Sequence, residues 1–152
     1  MHAKRAIAAG TIGTGVLTAL WLVEPSIGLP RIAVGQILST FMSVSVAHLH
    51  VGATGGWIAH FVVGILFALL YAWRLAEHIA GPSVLRGALF GTMLFILAQC
   101  VFMPLVGAGF FARGNVELLA GSLIGHLAYG IVTAWIYDLP HARGPSVVAR
   151  VA

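Results

Sequence analysis

Hydrophobic positions in this chain neither alternate nor form narrow stripes; they run in long blocks. A helix needs roughly 20 apolar residues to cross about 30 Å of hydrocarbon. Four blocks are that long, from about Ala6 to Val23, Gly55 to Trp73, Val84 to Met103 and Val116 to Tyr137. Pro25 and Pro30 stop the first, and Gly81-Pro82 marks the connection before the third. Pro104 closes the third, followed by a Gly107-Ala-Gly109 turn. Asn115 is placed to cap the fourth, with Glu117 near the positive end of its dipole. The connection from Glu24 to Thr54 is too long for a turn. Within it, residues 31–42 set Ile32, Ile37, Leu38, Phe41 and Met42 against Gln36, Ser39 and Thr40 at helical period. That pattern predicts a short helix on the outer interface or dipping in re-entrantly. The expected fold class is all-α integral membrane. Residues 1–139 form a four-helix transmembrane domain and residues 140–152 a short cytoplasmic tail with Pro140, Gly144 and Pro145.

Composition supports this. Of 152 residues, 60% are hydrophobic and 8% charged, against about 25% charged in soluble domains. A soluble enzyme, a nucleic-acid binder and a disordered chain are excluded. The net charge of +4 contains no basic run longer than Lys4-Arg5, so no phosphate-tracking stripe exists. Cys100, the single cysteine, excludes an intramolecular disulfide and multi-cysteine metal sites, and reads as a small hydrophobe.

Lys4-Arg5 ahead of an apolar run resembles a secretory signal. No small-x-small cleavage site follows, so the expectation is an uncleaved anchor. With four spans the termini share a side. That side carries Lys4, Arg5, Arg74, Arg86, Arg143 and Arg150, and the other carries Arg31 and Arg113. The six-to-two split predicts both termini in the cytoplasm. Trp21, Trp57, Tyr71, Trp73, Trp135 and Tyr137 fall near span ends, as an interfacial aromatic belt does.

The second and fourth spans resemble each other. Residues 56–71 and 122–137 share Ile58/Ile124, His60/His126, Gly64/Gly130, Ile65/Ile131, Ala68/Ala134 and Tyr71/Tyr137, six identities in sixteen positions. Arg5-x4-Gly10-Thr11 and Arg86-x4-Gly91-Thr92 relate the first and third spans. The spans therefore read as two parallel-repeated hairpins, related by a pseudo-two-fold axis along the membrane normal. The shared His, Gly, Ala and Tyr fall within an arc of about 80° on the helix. Gly56, Gly64, Ala68, Gly130 and Ala134 on that face read as helix-packing positions, because small residues let helices approach closely in lipid.

Met103-Pro-Leu-Val-Gly-Ala-Gly-Phe-Phe111 and Gly121-Ser-Leu-Ile-Gly-His-Leu-Ala-Tyr-Gly130, with Arg86-Gly-Ala-Leu-Phe-Gly91 and Trp57-x2-His60-Phe61, carry a resemblance to a known family. It is a family of small bacterial four-helix inner-membrane proteins of unknown function. The resemblance covers most of the chain up to Tyr137 and implies the fold and a bacterial inner (cytoplasmic) membrane, but no activity. His48-Leu-His50 lies outside the matching pattern.

Catalytic residues are not indicated. Glu24 and Glu117 lie at the outer edge and Glu77 and Asp138 at the inner edge, so no mid-span carboxylate relay is expected. Gly10-Thr-Ile-Gly-Thr-Gly15 has the wrong spacing for a nucleotide loop and no following Lys. His60 and His126 are the strongest ionisable candidates inside spans, both near the midplane. One reading is hydrogen bonding to a neighbouring helix, through Thr11, Thr14, Thr92 or Gln99. The other is ligation of haem b or another metal between facing helices. His48 and His50 read as a solvated loop, with a copper or zinc site involving Met42 or Met103 as the alternative. His2, His78 and His141 read as interfacial or tail residues.

The expected function is a non-catalytic small subunit or accessory protein of a larger membrane complex, such as an electron-transfer complex. Its partners would be the lipid bilayer and other membrane-protein subunits, not nucleic acid. The alternatives are a small b-type haem-binding protein using His60 and His126, and a small transporter or channel. Reporter fusions after Ala76, Gly114 and the C-terminus should read cytoplasm, periplasm and cytoplasm. An external C-terminus overturns the charge argument.

Overall fold

The computed structural model describes residues 2–45 and 51–139. Every regular element in that range is helical: α1 (Ala3–Val23), α2 (Val34–Ser45), α3 (Gly52–Leu70), α4 (Ser83–Leu97), the single turn α5 (Met103–Leu105) and α6 (Val116–Asp138). Four helical stretches are long and apolar enough to cross a membrane: Ala3–Ile27, Gly52–Leu75, Ser83–Leu105 and Val116–Asp138. The chain is a multi-pass, all-helical membrane protein. His48, His50, His141 and the tail from Pro140 lie outside the described residues.

Helix ends follow local chemistry. The Asn115 side chain accepts the Leu118 N–H at 2.9 Å and caps α6. Pro25 sits in a 3-10 turn, Glu24–Ile27, that ends α1. The third span does not simply stop at Pro104. It widens into a π turn, Ala98–Phe102, and Pro104 then lies within α5. The third span also begins at Ser83, beside Pro82, whose fixed φ suits a helix entrance. The short helix expected over 31–42 runs from Val34 to Ser45, burying Val34 and Leu38 and exposing Gln36 and Thr40.

α1 packs against both α3 and α6, α4 packs against α6, and α2 packs against α3. At one end the starts of α1 and α4 meet the end of α6. Arg5 donates to the carbonyls of Tyr137 (3.1 Å) and Leu139 (2.6 Å). Arg86 pairs with Asp138 at 2.8 Å and donates to the Ala76 carbonyl at 2.6 Å. These cations satisfy carbonyls that helix ends leave without partners. The Tyr71 ring, at the close of α3, lies 5.1 Å from Phe90 and 6.0 Å from Tyr137.

Small residues bring the backbones together. A Cβ on Gly87 would lie 2.6 Å from the Gly130 carbonyl, and Gly91 rests on the backbone of His126 and Leu127. Gly10 faces Ile65 and Ala68, and Gly13 faces Tyr129 and Thr133. Gly64 receives the Thr14 side chain, and Gly56 lies on the backbone of Gly35 in α2. Ala68 and Ala134 are fully buried.

Two of the aromatics assigned to an interfacial belt are elsewhere. Trp21 and Tyr71 are buried in the core, whereas Trp73 and Trp135 are exposed. Trp21 can turn inward because Gly125 leaves room for its indole, whose Nε1–H reaches the Gly121 carbonyl at 3.3 Å.

Gly87→Val should lower stability by about 1–3 kcal/mol through overpacking against α6, read as a lower unfolding temperature in detergent. Gly15→Ala, with nothing within 4 Å of the added Cβ, should leave it unchanged or raised. Equal behaviour of the two variants contradicts the close α4–α6 approach.

Candidate functional site

α3 and α4 do not pack along their lengths. Between them, backed by α1 and α6, lies a cavity of about 560 Å³. That is within the roughly 300–1,000 Å³ typical of small-molecule sites. α2 crosses its mouth from α3, where Gly35 and Gly56 touch, to the end of the third span, where Phe41 and Phe102 stack at 4.7 Å. The walls are mainly apolar, but His60, Gln99, Ser122, His126 and Tyr129 all reach the chamber.

The structure brings His60 and His126 to the same chamber, and one nitrogen of each ring is hydrogen-bonded, that of His126 to both the carbonyl and, at 3.4 Å, the hydroxyl of Ser122. His60, 7% exposed, shares a bond between Nε2 and the Thr18 hydroxyl at 3.1 Å. His126 lies with Nδ1 2.7 Å from the Ser122 carbonyl, one turn back on α6. The Trp21 indole packs on both rings, at 5.8 Å from His60 and 5.9 Å from His126.

These partners differ from those expected. Thr11, Thr14 and Thr92 each turn back to a carbonyl of their own helix, at Ile7, Gly10 and Ala88. That i−4 bond is the cheapest way for a threonine to satisfy its hydroxyl inside a span. Gln99 donates to the Ser122 hydroxyl at 3.0 Å, not to a histidine, and its amide oxygen is buried without a partner. The π turn that holds Gln99 widens the helix by one residue, a local irregularity common at functional sites. Tyr129 donates to the Gly64 carbonyl at 2.5 Å and ties α6 to α3 beside the chamber.

Thr18 and Trp21 carried no site signal in the sequence. Gln99 did carry one, as the only side-chain amide within the four predicted spans. Glu24, expected at the outer edge, is 4% exposed, and both its oxygens lack partners. It lies against Gly121, whose missing side chain admits the carboxyl. Among the described residues, no three of His, Cys, Asp and Glu gather to hold a metal.

A family model described as a family of unknown function, DUF6789, matches residues 1–146. The chain belongs to this family. No curated protein and no solved structure matches it. The function of the family is unknown, so the functional reading rests on the chamber's own chemistry. No hydrogen bond reaches His60 Nδ1 or His126 Nε2, so these are the nitrogens open to a ligand.

Thr18→Val should leave the buried His60 nitrogen without its partner and cost about 1–3 kcal/mol of stability. Thr11→Val, whose hydroxyl meets only its own helix, should cost much less. Thermal unfolding of both variants in one detergent checks the difference. Matching midpoints would show that the Thr18–His60 bond contributes nothing.

Proposed function

We propose that this protein is a non-catalytic integral membrane component, a small subunit or accessory protein of a larger membrane assembly, that works by holding a small apolar molecule in its chamber. The observation that carries the reading is the chamber itself. Among the described residues, four of the six buried polar side chains, Thr14, His60, Gln99 and Ser122, line one apolar cavity together with His126. In lipid, polar side chains at that depth are expensive and usually mark function. Rows of exposed apolar residues, Ile58, Val62 and Leu66 on α3 and Leu85, Leu89 and Met93 on α4, supply surface for bilayer and neighbouring subunits alike.

In this reading the setting is a bacterial inner membrane with both termini in the cytoplasm, as the six-to-two charge split suggests. α2 serves as the interfacial or re-entrant helix. The hairpins α1–α3 and α4–α6 are parallel repeats. Supporting this, Gly10 meets Gly64 and Ile65 much as Gly87 meets Gly130 and Ile131. The equivalence pairs Gly10 with Gly87, one turn before Gly91. The repeat is uneven in one respect: α1 packs on α6 whereas α4 does not pack on α3, and the chamber occupies that place.

The test is native mass spectrometry after extraction in polymer-bounded lipid discs. A retained small-molecule adduct and a co-purifying membrane protein are expected. Ala98→Trp, which fills the chamber from its lining, should lose the adduct. A b-type absorption spectrum lost in His60→Ala and His126→Ala would replace this reading with haem ligation. Solute flux in liposomes would replace it with transport. A solitary chain without adduct, spectrum or flux refutes it.

A further inference from the structure

The unpaired groups around the chamber have a direction. The Ser122 carbonyl can only accept, so His126 Nδ1, 2.7 Å away, carries the hydrogen. In the uncharged ring Nε2 is then a bare acceptor. Gln99 spends an amide hydrogen on the Ser122 hydroxyl, and its amide oxygen, without a partner, is sealed from the chamber. The Tyr129 and Thr14 hydroxyls, both on the lining, already donate to backbone carbonyls. The Ser122 hydroxyl accepts from Gln99 and lies 3.4 Å from His126 Nδ1, which carries a hydrogen of its own, so the hydroxyl hydrogen is left to give. Beside His126 the chamber thus meets a bare acceptor, Nε2, and a hydroxyl hydrogen, inside an apolar enclosure. A carbonyl or ether head could take the Ser122 hydrogen but would leave the His126 acceptor unmet. A hydroxyl head can donate to an acceptor and accept from Ser122 at once.

We propose that the chamber binds an apolar molecule through a hydroxyl group, with its O–H directed at the bare Nε2 of His126. This rests on reading the chamber as a binding site. Two sources share that chemistry: a phenol or hydroquinone, whose ring suits walls that include Trp21, Phe67 and Phe102, and an aliphatic alcohol of the lipid kind. Entry is from the bilayer between α3 and α4, which do not close on each other.

Trp21 is a built-in reporter, since its indole lies on both histidines. In a protein with Trp57, Trp73 and Trp135 replaced by Phe, it is the sole tryptophan. Its quenching by 4-octylphenol and by 4-octylanisole, the matched methyl ether, measures the contribution of the donor. The phenol should bind about tenfold more tightly, the ratio expected when a buried acceptor loses its donor. His126→Phe should bring the phenol towards the ether, whereas Gln99→Leu, which removes no accessible acceptor, should keep the preference for the phenol. 1-Dodecanol as competitor separates the sources. Displacement of the phenol at similar concentration supports a lipid alcohol, and failure to displace supports an aromatic one. Equal affinity for phenol and ether overturns the donor rule while leaving the chamber a binding site. Quenching by neither removes the chamber reading as well. Should either variant not fold, the phenol-to-ether ratio of the parent protein still decides.

Discussion

Contact between helix backbones, made possible where side chains are missing, organises this molecule. Lipid gives helices no hydrophobic reason to associate, so close packing has to supply the attraction. Gly87 and Gly91 seat α4 on α6, Gly13 seats α1 on α6, and Gly10 seats α1 on α3. No comparable series draws α3 to α4. The chamber is thus a product of where the glycines are, and the Tyr129 bond to Gly64 forms part of its wall.

A second constraint acts on the polar groups that this packing encloses. A span offers no water, so each hydroxyl, imidazole or amide must find a partner inside the protein. Most threonines solve this within their own helix. Thr18, Gln99, Ser122 and His60 solve it across helices, and those bonds tie α1 to α3 and the third span to α6 around the chamber. The groups left over are spread more widely: His126 Nε2 and the Gln99 amide oxygen belong to residues lining the chamber, whereas the Glu24 oxygens and the Tyr71 and Thr133 hydroxyls lie outside its lining. Arg5 and Arg86 close the opposite end of the bundle by meeting the last carbonyls and Asp138.

What could be read in advance was whatever depends on neighbours in the chain. Long apolar blocks specify spans, Asn115 specifies a cap, and the helical-period pattern over 31–42 specifies a helix with one buried side. Trp21 could not be read this way. Its position near the end of a span is equally that of a belt residue, and it turns inward only because Gly125, about a hundred residues away, leaves space. Glu24 is the same case, placed by the gap at Gly121. His60 and His126 stood out because imidazoles are rare in spans, but Thr18 did not, since hydroxyls in apolar helices usually bond backward.

The π turn at Ala98–Phe102 separates two properties of the third span that are usually thought of together. A π turn is an α-helix carrying one surplus residue, and each residue advances the helix by about 100°. Everything beyond it is rotated by roughly that angle, and the turn itself carries Gln99, which meets Ser122, and Phe102, which meets Phe41. Loss of a single codon there would leave a regular helix, apolar throughout and still long enough to cross the bilayer. Such a chain would insert normally, with the end of the span after Leu97 facing the wrong neighbours. Insertion depends on length and hydropathy, whereas assembly of the chamber depends on the phase set by one residue.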